Sequence, residues 1–470
     1  MSGSGDYRIS KPNPALKLEL PHAIVDGAVS STGKHDALML RAASFIKPGT
    51  SRTFQLDSAS NFVAIGGLSS PTVQFLIPSQ GPGMNVYDRM DLEMTVINTS
   101  AAPIQLAPGF AFINKTSWYT AGAPLLEQYG ESMMCLEALE PQEIAVQEMD
   151  NVGFTSTQVL QLPQITGAVG AGSFSFPTVL TQQNALTLAP GATYTYIIPF
   201  SKDLFLCSPI VSPTHINQPI NLRVQFNPAN VWCQQGGGVC QVQTLRLTIC
   251  GRIYQPILQS IIDERRFRKP LRIPAHLVTV TASDIGVAVA GTTREQTLQS
   301  FTGDYSGLFC FLRTRDVDAT VNGVTDYFWR ARPLAYNIAT GVVTAASVGN
   351  NYALRSLNVF PNGTVSLWVT QAEAAQGRLL AQESCDNDAY VLSQIKALNL
   401  IPFSDTFRQS VKHFNHVGGS VNLVSAGKIT YIPANTIPDA AFIVVGFKQI
   451  TIFQNSYGQL QAVDESGQAY

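Results

Sequence analysis

Short apolar runs, broken by Gly, Pro and Asn every ~8–15 residues, dominate the hydrophobic pattern of this chain. TVQFLIPS (72–79), DLEMTVINTS (91–100), GFAFINKTSWYT (109–120) and TYTYIIPF (193–200) are examples, followed by INLRVQF (220–226) and VQTLRLTICGRIYQ (242–255). Within INLRVQF, Leu222, Val224 and Phe226 recur with period two, the signature of a strand with one buried face. With 27 prolines and 36 glycines in 470 residues, the pattern predicts an all-β chain. Helical spacing is confined to three stretches. TQAEAAQGRLLAQE (370–383) opens with Thr370 and Glu373 at capping-box spacing. EPQEIAVQEMD (140–150) has Pro141 in its first turn, where proline is tolerated, and YQPILQSIIDERRFRK (254–269) is bounded by Pro270.

The pattern also repeats. IPFS stands at 198–201 and again at 401–404, an offset of 203; INL (220–222) matches VNL (421–423) at 201, and IYQ (253–255) matches IFQ (452–454) at 199. Three landmarks in the same order, with little drift, indicate one unit built twice. Each unit runs over roughly 180 residues, room for eight strands and their loops, which is the size of a jelly roll of two packed four-stranded sheets. The predicted organisation is an N-terminal arm (1–70), a first jelly roll (71–255) with a loop insertion at 151–192, a linker helix (256–274), and a second jelly roll with a short C-terminal tail (275–470). The insertion is poor in charge and rich in Gly, Thr and Gln. The hinge is the most charged segment: Arg265, Arg266, Arg268, Lys269 and Arg272 stand against Asp263 and Glu264. It reads as an ordered helix whose arginines tie the two rolls together or meet a neighbouring subunit.

Charge then narrows the function. Only 13% of residues are charged, about half the usual ~25%, although 45% are hydrophobic. Such a surface suits a protein largely covered by copies of itself. The formal net charge is −2, with no basic tail to neutralise phosphates, which argues against direct nucleic-acid binding. The seven cysteines are an odd number scattered through apolar segments, so they read as reduced core thiols; only Cys233 and Cys240, in CQQGGGVC, are placed to pair across a turn. The start, MSGSGDYRISKPNP, has no apolar h-region, so synthesis inside a cell without a signal peptide is expected.

Catalytic chemistry finds no foothold. His413 and His416, in HFNH, are the only close histidines and have no carboxylate or cysteine beside them, whereas a metal site needs three or four ligands. Neither half holds the His-x-His strand of a bicupin, and no G-x-S-x-G elbow occurs. QQGGGVC lacks the Lys-Ser/Thr of a phosphate loop. No catalytic, cofactor-binding or metal-ligating residue is nominated, and a non-enzyme is expected.

Particular stretches are similar to those of a known family. DRMDLEMTVINTSAAPIQLAPGFAFINKTSWYTAGAPLLEQYGE resembles the early strands and the Gly-x-x-Leu…Tyr-Gly segment of the double jelly-roll major capsid proteins, the lineage of tectiviruses, adenovirus hexon and the large DNA viruses. YTYIIPFSKDLF and INQPINLRVQF resemble that family's Ile-Pro-Leu/Phe strand and its successor; LQSFTGDYSGLFCFLR, IPFSD and HVGGSVNLVSAGKITYIP resemble the matching elements of the second roll. The likeness covers most of 70–455. It implies a homotrimeric, pseudo-hexagonal capsomer that tiles an icosahedral shell in the virion, commonly around an internal membrane, with neighbouring capsomers and minor or penton capsid proteins as partners. Large obligate interfaces of ~2,000–5,000 Å² would account for the low charge. Residues 1–50 carry six Lys/Arg (Arg8, Lys11, Lys17, Lys34, Arg41, Lys47) against four acids (Asp6, Glu19, Asp26, Asp36), and are expected to act in assembly. The alternative, a tandem β-sandwich of carbohydrate-binding or adhesin type, predicts a signal peptide and paired cysteines that are missing.

Overall fold

The computed structural model describes residues 50–58, 62, 65–78, 84–107, 109–120, 123–137, 155–156, 164–166, 173–175, 183–184, 186–200, 216–233, 235–253, 271–314, 334–337, 342–345, 354–364, 368–371, 399–404, 407, 419–433, 436–455 and 457–463. Eight strands build a first unit: β1 (Thr50–Asp57), β2 (Thr72–Ile77), β3 (Val86–Asn98), β4 (Ile113–Thr120), β5 (Ala123–Tyr129), β6 (Thr193–Pro199), β7 (Ile220–Phe226) and β8 (Cys240–Ile253). Eight more build a second: β9 (Leu271–Ala288), β10 (Arg294–Thr297), β11 (Gly303–Thr314), β12 (Leu354–Phe360), β13 (Trp368–Gln371), β14 (Asn399–Pro402), β15 (Lys428–Pro433) and β16 (Ile437–Gln454). The first unit pairs them as β1-β8-β3-β6 and β2-β7-β4-β5; the second as β9-β16-β11-β14 and β10-β15-β12-β13. Every position in the second order is the first order advanced by eight. Both are antiparallel jelly rolls, and the chain is a double jelly roll.

Alternation explains the first roll. Along β3, Met90, Leu92, Met94 and Val96 are buried, and along β8 so are Leu245, Leu247 and Ile249. Val73, Phe75 and Ile77 of β2 face Val224, Leu222 and Ile220 of β7 across the opposite sheet. The two sheets close on Trp118, Tyr196 and a stacked pair, Phe112 and Trp232, with ring centroids 4.1 Å apart. In the second roll, Tyr431 of β15 stacks on Phe442 of β16 at 3.8 Å, joining its two sheets.

Several expectations need correction. The first roll includes a strand from Thr50, before residue 71: β1 pairs with β8 from Thr50↔Ile253 to Asp57↔Arg246, so 50–57 is sheet and not arm. TSRTFQLD is mostly polar because it is a sheet edge, and it therefore lacks the apolar signature of the central strands. The second roll begins at Leu271, so residues 271–274 are strand rather than linker helix; the rest of the hinge lies outside the described residues. The INL/VNL match pairs different strands. Ile220 starts β7, whereas Val421–Leu423 is an extra strand on β11, and the true counterpart of β7 is β15, KITYIP. The helix expected at 140–150 lies outside the described residues; a helix, α1, occupies Gly130–Glu137, just after β5. Thr370 and Gln371 belong to β13, and the remainder of 370–383 is not described. The end of the insertion, Leu186–Leu188, pairs with Ile104–Leu106, and both leucines are buried, so that part belongs to the body of the roll.

Candidate assembly interface

The decisive asymmetry lies in the sheet β9-β16-β11-β14. Residues paired across β11 and β16 share a face: Phe309↔Val445, Phe311↔Ile443 and Arg313↔Ala441 on one, Leu308↔Gly446, Cys310↔Val444 and Leu312↔Phe442 on the other. The second set faces the roll's own core, since Phe442 meets Tyr431. The first set points away from it, yet Phe309, Phe311, Val445 and Phe447 are also buried. Phe407 fills part of that face, with rings 5.9 Å from Phe309 and 5.5 Å from Phe447. The first roll reaches this sheet through β5 and α1 against its edge strand β9, and through Glu131 against Arg313 on the same face as Phe309 and Phe311. By contrast, the outer face of the first roll's sheet β1-β8-β3-β6 is wet: Thr95 and Thr195 hydroxyls meet at 3.0 Å, and Arg246 pairs with Asp57 at 3.0 Å, in exposed surroundings.

Polar ties hold both ends of this buried contact. At one end, Arg313 Nη2 donates to Glu131 Oε1 at 3.0 Å, with both side chains about nine-tenths buried. Glu131 sits in the first turn of α1 because Gly130 lets the chain turn there: a Cβ on Gly130 would collide with the carbonyl oxygens of Phe110 and Ile113. At the other end, Leu460–Val463 folds back on the end of β16, and the Thr120 hydroxyl donates to the Leu460 carbonyl at 3.3 Å. Asn217 donates its backbone N–H to the Gly458 carbonyl at 3.4 Å and its side-chain amide to the Tyr457 carbonyl. Arg313 lies where β11 leaves the roll and Glu131 just after β5; Thr120 and Asn217 lie at the opposite end. The two rolls therefore stand side by side, pointing the same way. In agreement, loop strands Gln164–Thr166 and Ser173–Ser175 of the first roll join Leu334–Asn337 and Val342–Ala345 of the second in one small sheet.

One cluster has the outline of a nucleophile and base. His276 Nε2 lies 3.0 Å from Ser306 Oγ, which also accepts from Gln449 Nε2 at 2.8 Å. Ser306 and Gln449 are buried beneath the second roll's own chain, with Gln449 Nε2 also donating to the Gly419 carbonyl at 3.2 Å and Phe403 N–H to the Ser306 carbonyl at 2.8 Å, so the serine is closed to a substrate. The contact satisfies polar groups inside an apolar face, at a bulge where Tyr305 pairs with Lys448 and Gly307 with Phe447. Among the described residues, no three His, Cys, Asp or Glu side chains converge as a metal site, and no helix is long and apolar enough to cross a membrane. His413, His416 and the arginines 265, 266 and 268 lie outside the described residues. Nothing in the local sequence marks Arg313 and Glu131 as partners. The available signal was a lone charge closing the apolar run GLFCFLR.

No family model matches the chain, and no curated protein sequence matches it. Solved structures do. VP54 of PBCV-1, fitted into a cryo-EM reconstruction of the virophage Sputnik, superposes with a TM-score of 0.55 at 10% identity, covering 88% of this chain and 97% of that one. A quasi-atomic model of the PBCV-1 virus capsid gives 0.54 at 11% identity, covering 87% and 96%. At this identity the likeness is one of fold, and it extends over both rolls.

Proposed function

We propose that this chain is the major capsid protein of a DNA virus, with a structural and not a catalytic role. The observation that carries the reading is the parallel, side-by-side seating of two jelly rolls of identical strand order, in a fold shared with PBCV-1 capsid structures. Three such chains around a threefold axis present six rolls with parallel axes, which is the outline of a hexagonal block. Exposed apolar side chains support further burial between copies: Leu68 and Tyr457 are 73% and 77% exposed, and Leu76, Val287 and Val289 also stand in water. Blocks of this shape tile an icosahedral shell, so the protein resides in the virion. Its partners are its own copies, neighbouring capsomers and the minor or penton proteins that seal the lattice, with an internal membrane beneath. A charge of −2 on the whole chain suits a shell that leaves the genome to other components.

Light scattering and negative-stain microscopy of the purified protein test the proposal. Trimers of roughly 150 kDa, from chains of 50.8 kDa, and hexagonal blocks are expected. A monomer at micromolar concentration under native conditions would sink it.

A further inference from the structure

The turn that leaves β12 carries chemistry that the assembly reading does not use. β12 ends at Phe360, and Pro361, Asn362, Gly363 and Thr364 follow it. Gly363 N–H donates back to the Phe360 carbonyl at 3.2 Å, and Val424 N–H holds the Pro361 carbonyl at 3.3 Å. Gly363 has a φ of +83°, and a Cβ there would collide with the Ala426 carbonyl oxygen, so the position needs glycine. Asn362 is held by its neighbour. Thr364 donates its backbone N–H to Asn362 Oδ1 at 3.1 Å and its hydroxyl to the same oxygen at 3.2 Å. Asn362 and Thr364 are both exposed.

An asparagine before glycine is open to attack by the next backbone nitrogen, because no Cβ shields that nitrogen. When Gly363 N adds to Asn362 Cγ, negative charge develops on Oδ1, the oxygen that already faces two Thr364 donors. Donors placed in advance where charge will form lower the barrier. Asn98 shows the opposite case. It is buried, spends its side-chain amide on the Ala102 and Leu188 carbonyls, and precedes threonine. The chain's other Asn-Gly, at 322–323, lies outside the described residues.

We propose that Asn362 is a self-modifying site whose conversion to a carboxylate is promoted by Thr364. The Gly363 bond to Phe360, longer than the usual ~2.9–3.0 Å, gives way, and hydroxide takes the Gly363 amide proton. The nitrogen bonds to Asn362 Cγ, the Cγ–Nδ2 bond breaks, and Nδ2 leaves as ammonia with a proton from water. Water then opens the five-membered imide at either carbonyl, giving aspartate or isoaspartate. One amide and one water become one carboxylic acid and one ammonia, with nothing oxidised or reduced. The chain, of formal charge −2, gains one negative charge. The aspartate product keeps both Thr364 bonds, since a carboxylate accepts them more strongly. Isoaspartate lengthens the backbone inside a turn clamped by Val424, so the fold favours aspartate. None of this rests on the capsid reading.

Full-length protein is held in mildly alkaline buffer made with oxygen-18 water, quenched in acid and digested. The tryptic peptide 356–378 is weighed and fragmented to place the label. The same peptide, synthetic and free in solution, is the reference. Label should enter at Asn362 and not at Asn358, at least as fast in the folded protein as in the free peptide, and with a larger share of aspartate. Thr364→Val should slow the folded protein about three- to tenfold, the worth of one hydrogen bond, and leave the matching free peptide unchanged. Thr364→Ser, which keeps the hydroxyl, should keep the rate, and Asn362→Gln should abolish labelling at that position. Slower conversion in the folded protein than in the free peptide overturns the site. Equal rates for the wild type and Thr364→Val overturn the role of Thr364. Both readouts use the free protein, so they are independent of whether hexagonal blocks form.

Discussion

Arg313 and Glu131 are the one ion pair among the described residues that joins the two rolls in a buried setting, so its removal measures how strongly they are coupled. The perturbation is a cycle of Arg313→Met, Glu131→Gln and the double variant. Methionine keeps the length and apolar stem of arginine, and glutamine keeps the shape of the acid, so packing changes little. With the side chains only 10% and 11% exposed and the N–O distance 3.0 Å, each single change strands a buried group. Breaking a buried pair from one side costs about 3–5 kcal/mol. At about 2–4 °C per kcal/mol for a unit of this size, each single variant should melt roughly 6–20 °C lower. The double variant should recover about 2–3 kcal/mol of the summed loss, since it leaves neither charge alone. Scanning calorimetry of the full chain gives the melting temperatures, and limited proteolysis between the rolls reports their separation. Additive singles, with coupling below about 0.5 kcal/mol, would refute the pair as a tie between rolls.

Other consequences follow from particular sites. Gly130→Ala should lower the melting temperature by several degrees or abolish soluble expression, because its Cβ has no room against two backbone carbonyls; an unchanged melting temperature would show that the turn into α1 relaxes freely. Burial pushes the Tyr431 hydroxyl up to about 12, against the opposing pull of Arg294, and pushes Tyr196 well up too. The stability these phenols contribute is fully present below the free value of about 10 and is lost as pH rises toward about 12, so alkaline unfolding should set in above pH ~10 and shift to higher pH in Tyr431→Phe. Deleting residues 1–49 should leave soluble folded protein that assembles poorly, whereas deleting through Asp57 should also destabilise it by uncovering β8; solubility, calorimetry and particle imaging separate the two.

The parts of this architecture that could be read from the chain are those where a strand buries one face. INLRVQF announced β7 by its alternation, and IPF marked the same strand in both rolls: Ile198 lies in β6 and Ile401 in β14. Ile253 and Ile452 likewise close the equivalent strands β8 and β16. What misled was identity without geometry. VNL resembles INL in letters, but jelly-roll position is set by which strand it pairs with, and Val421–Leu423 pairs with β11 rather than with β12. β1 escaped notice because an edge strand has one paired neighbour and little need for apolar residues. The tie between Arg313 and Glu131 joins residues 182 positions apart, a distance across which local pattern carries no information.

The same contrast of patterns separates two rolls that topology makes equal. In β3 and β8, apolar and polar residues alternate because one face meets the core and the other meets water. In β11 and β16, the runs GLFCFL and AAFIVVGF are continuous because both faces are covered within a single chain. A polar substitution should therefore cost very different amounts at matched depths in the two sheets. Val445→Asn places an amide in the face between the rolls, among Phe309 and Phe447, where no partner awaits it; about 2–4 kcal/mol is expected for the lost apolar contact and the unpaired polar group. Thr95→Asn, on the outward face of β3, should stay within about 0.5 kcal/mol in the isolated chain. Melting temperatures of the two variants decide it. Equal losses would mean that the second sheet's outward face is open to water in solution, and that the first roll does not cover it.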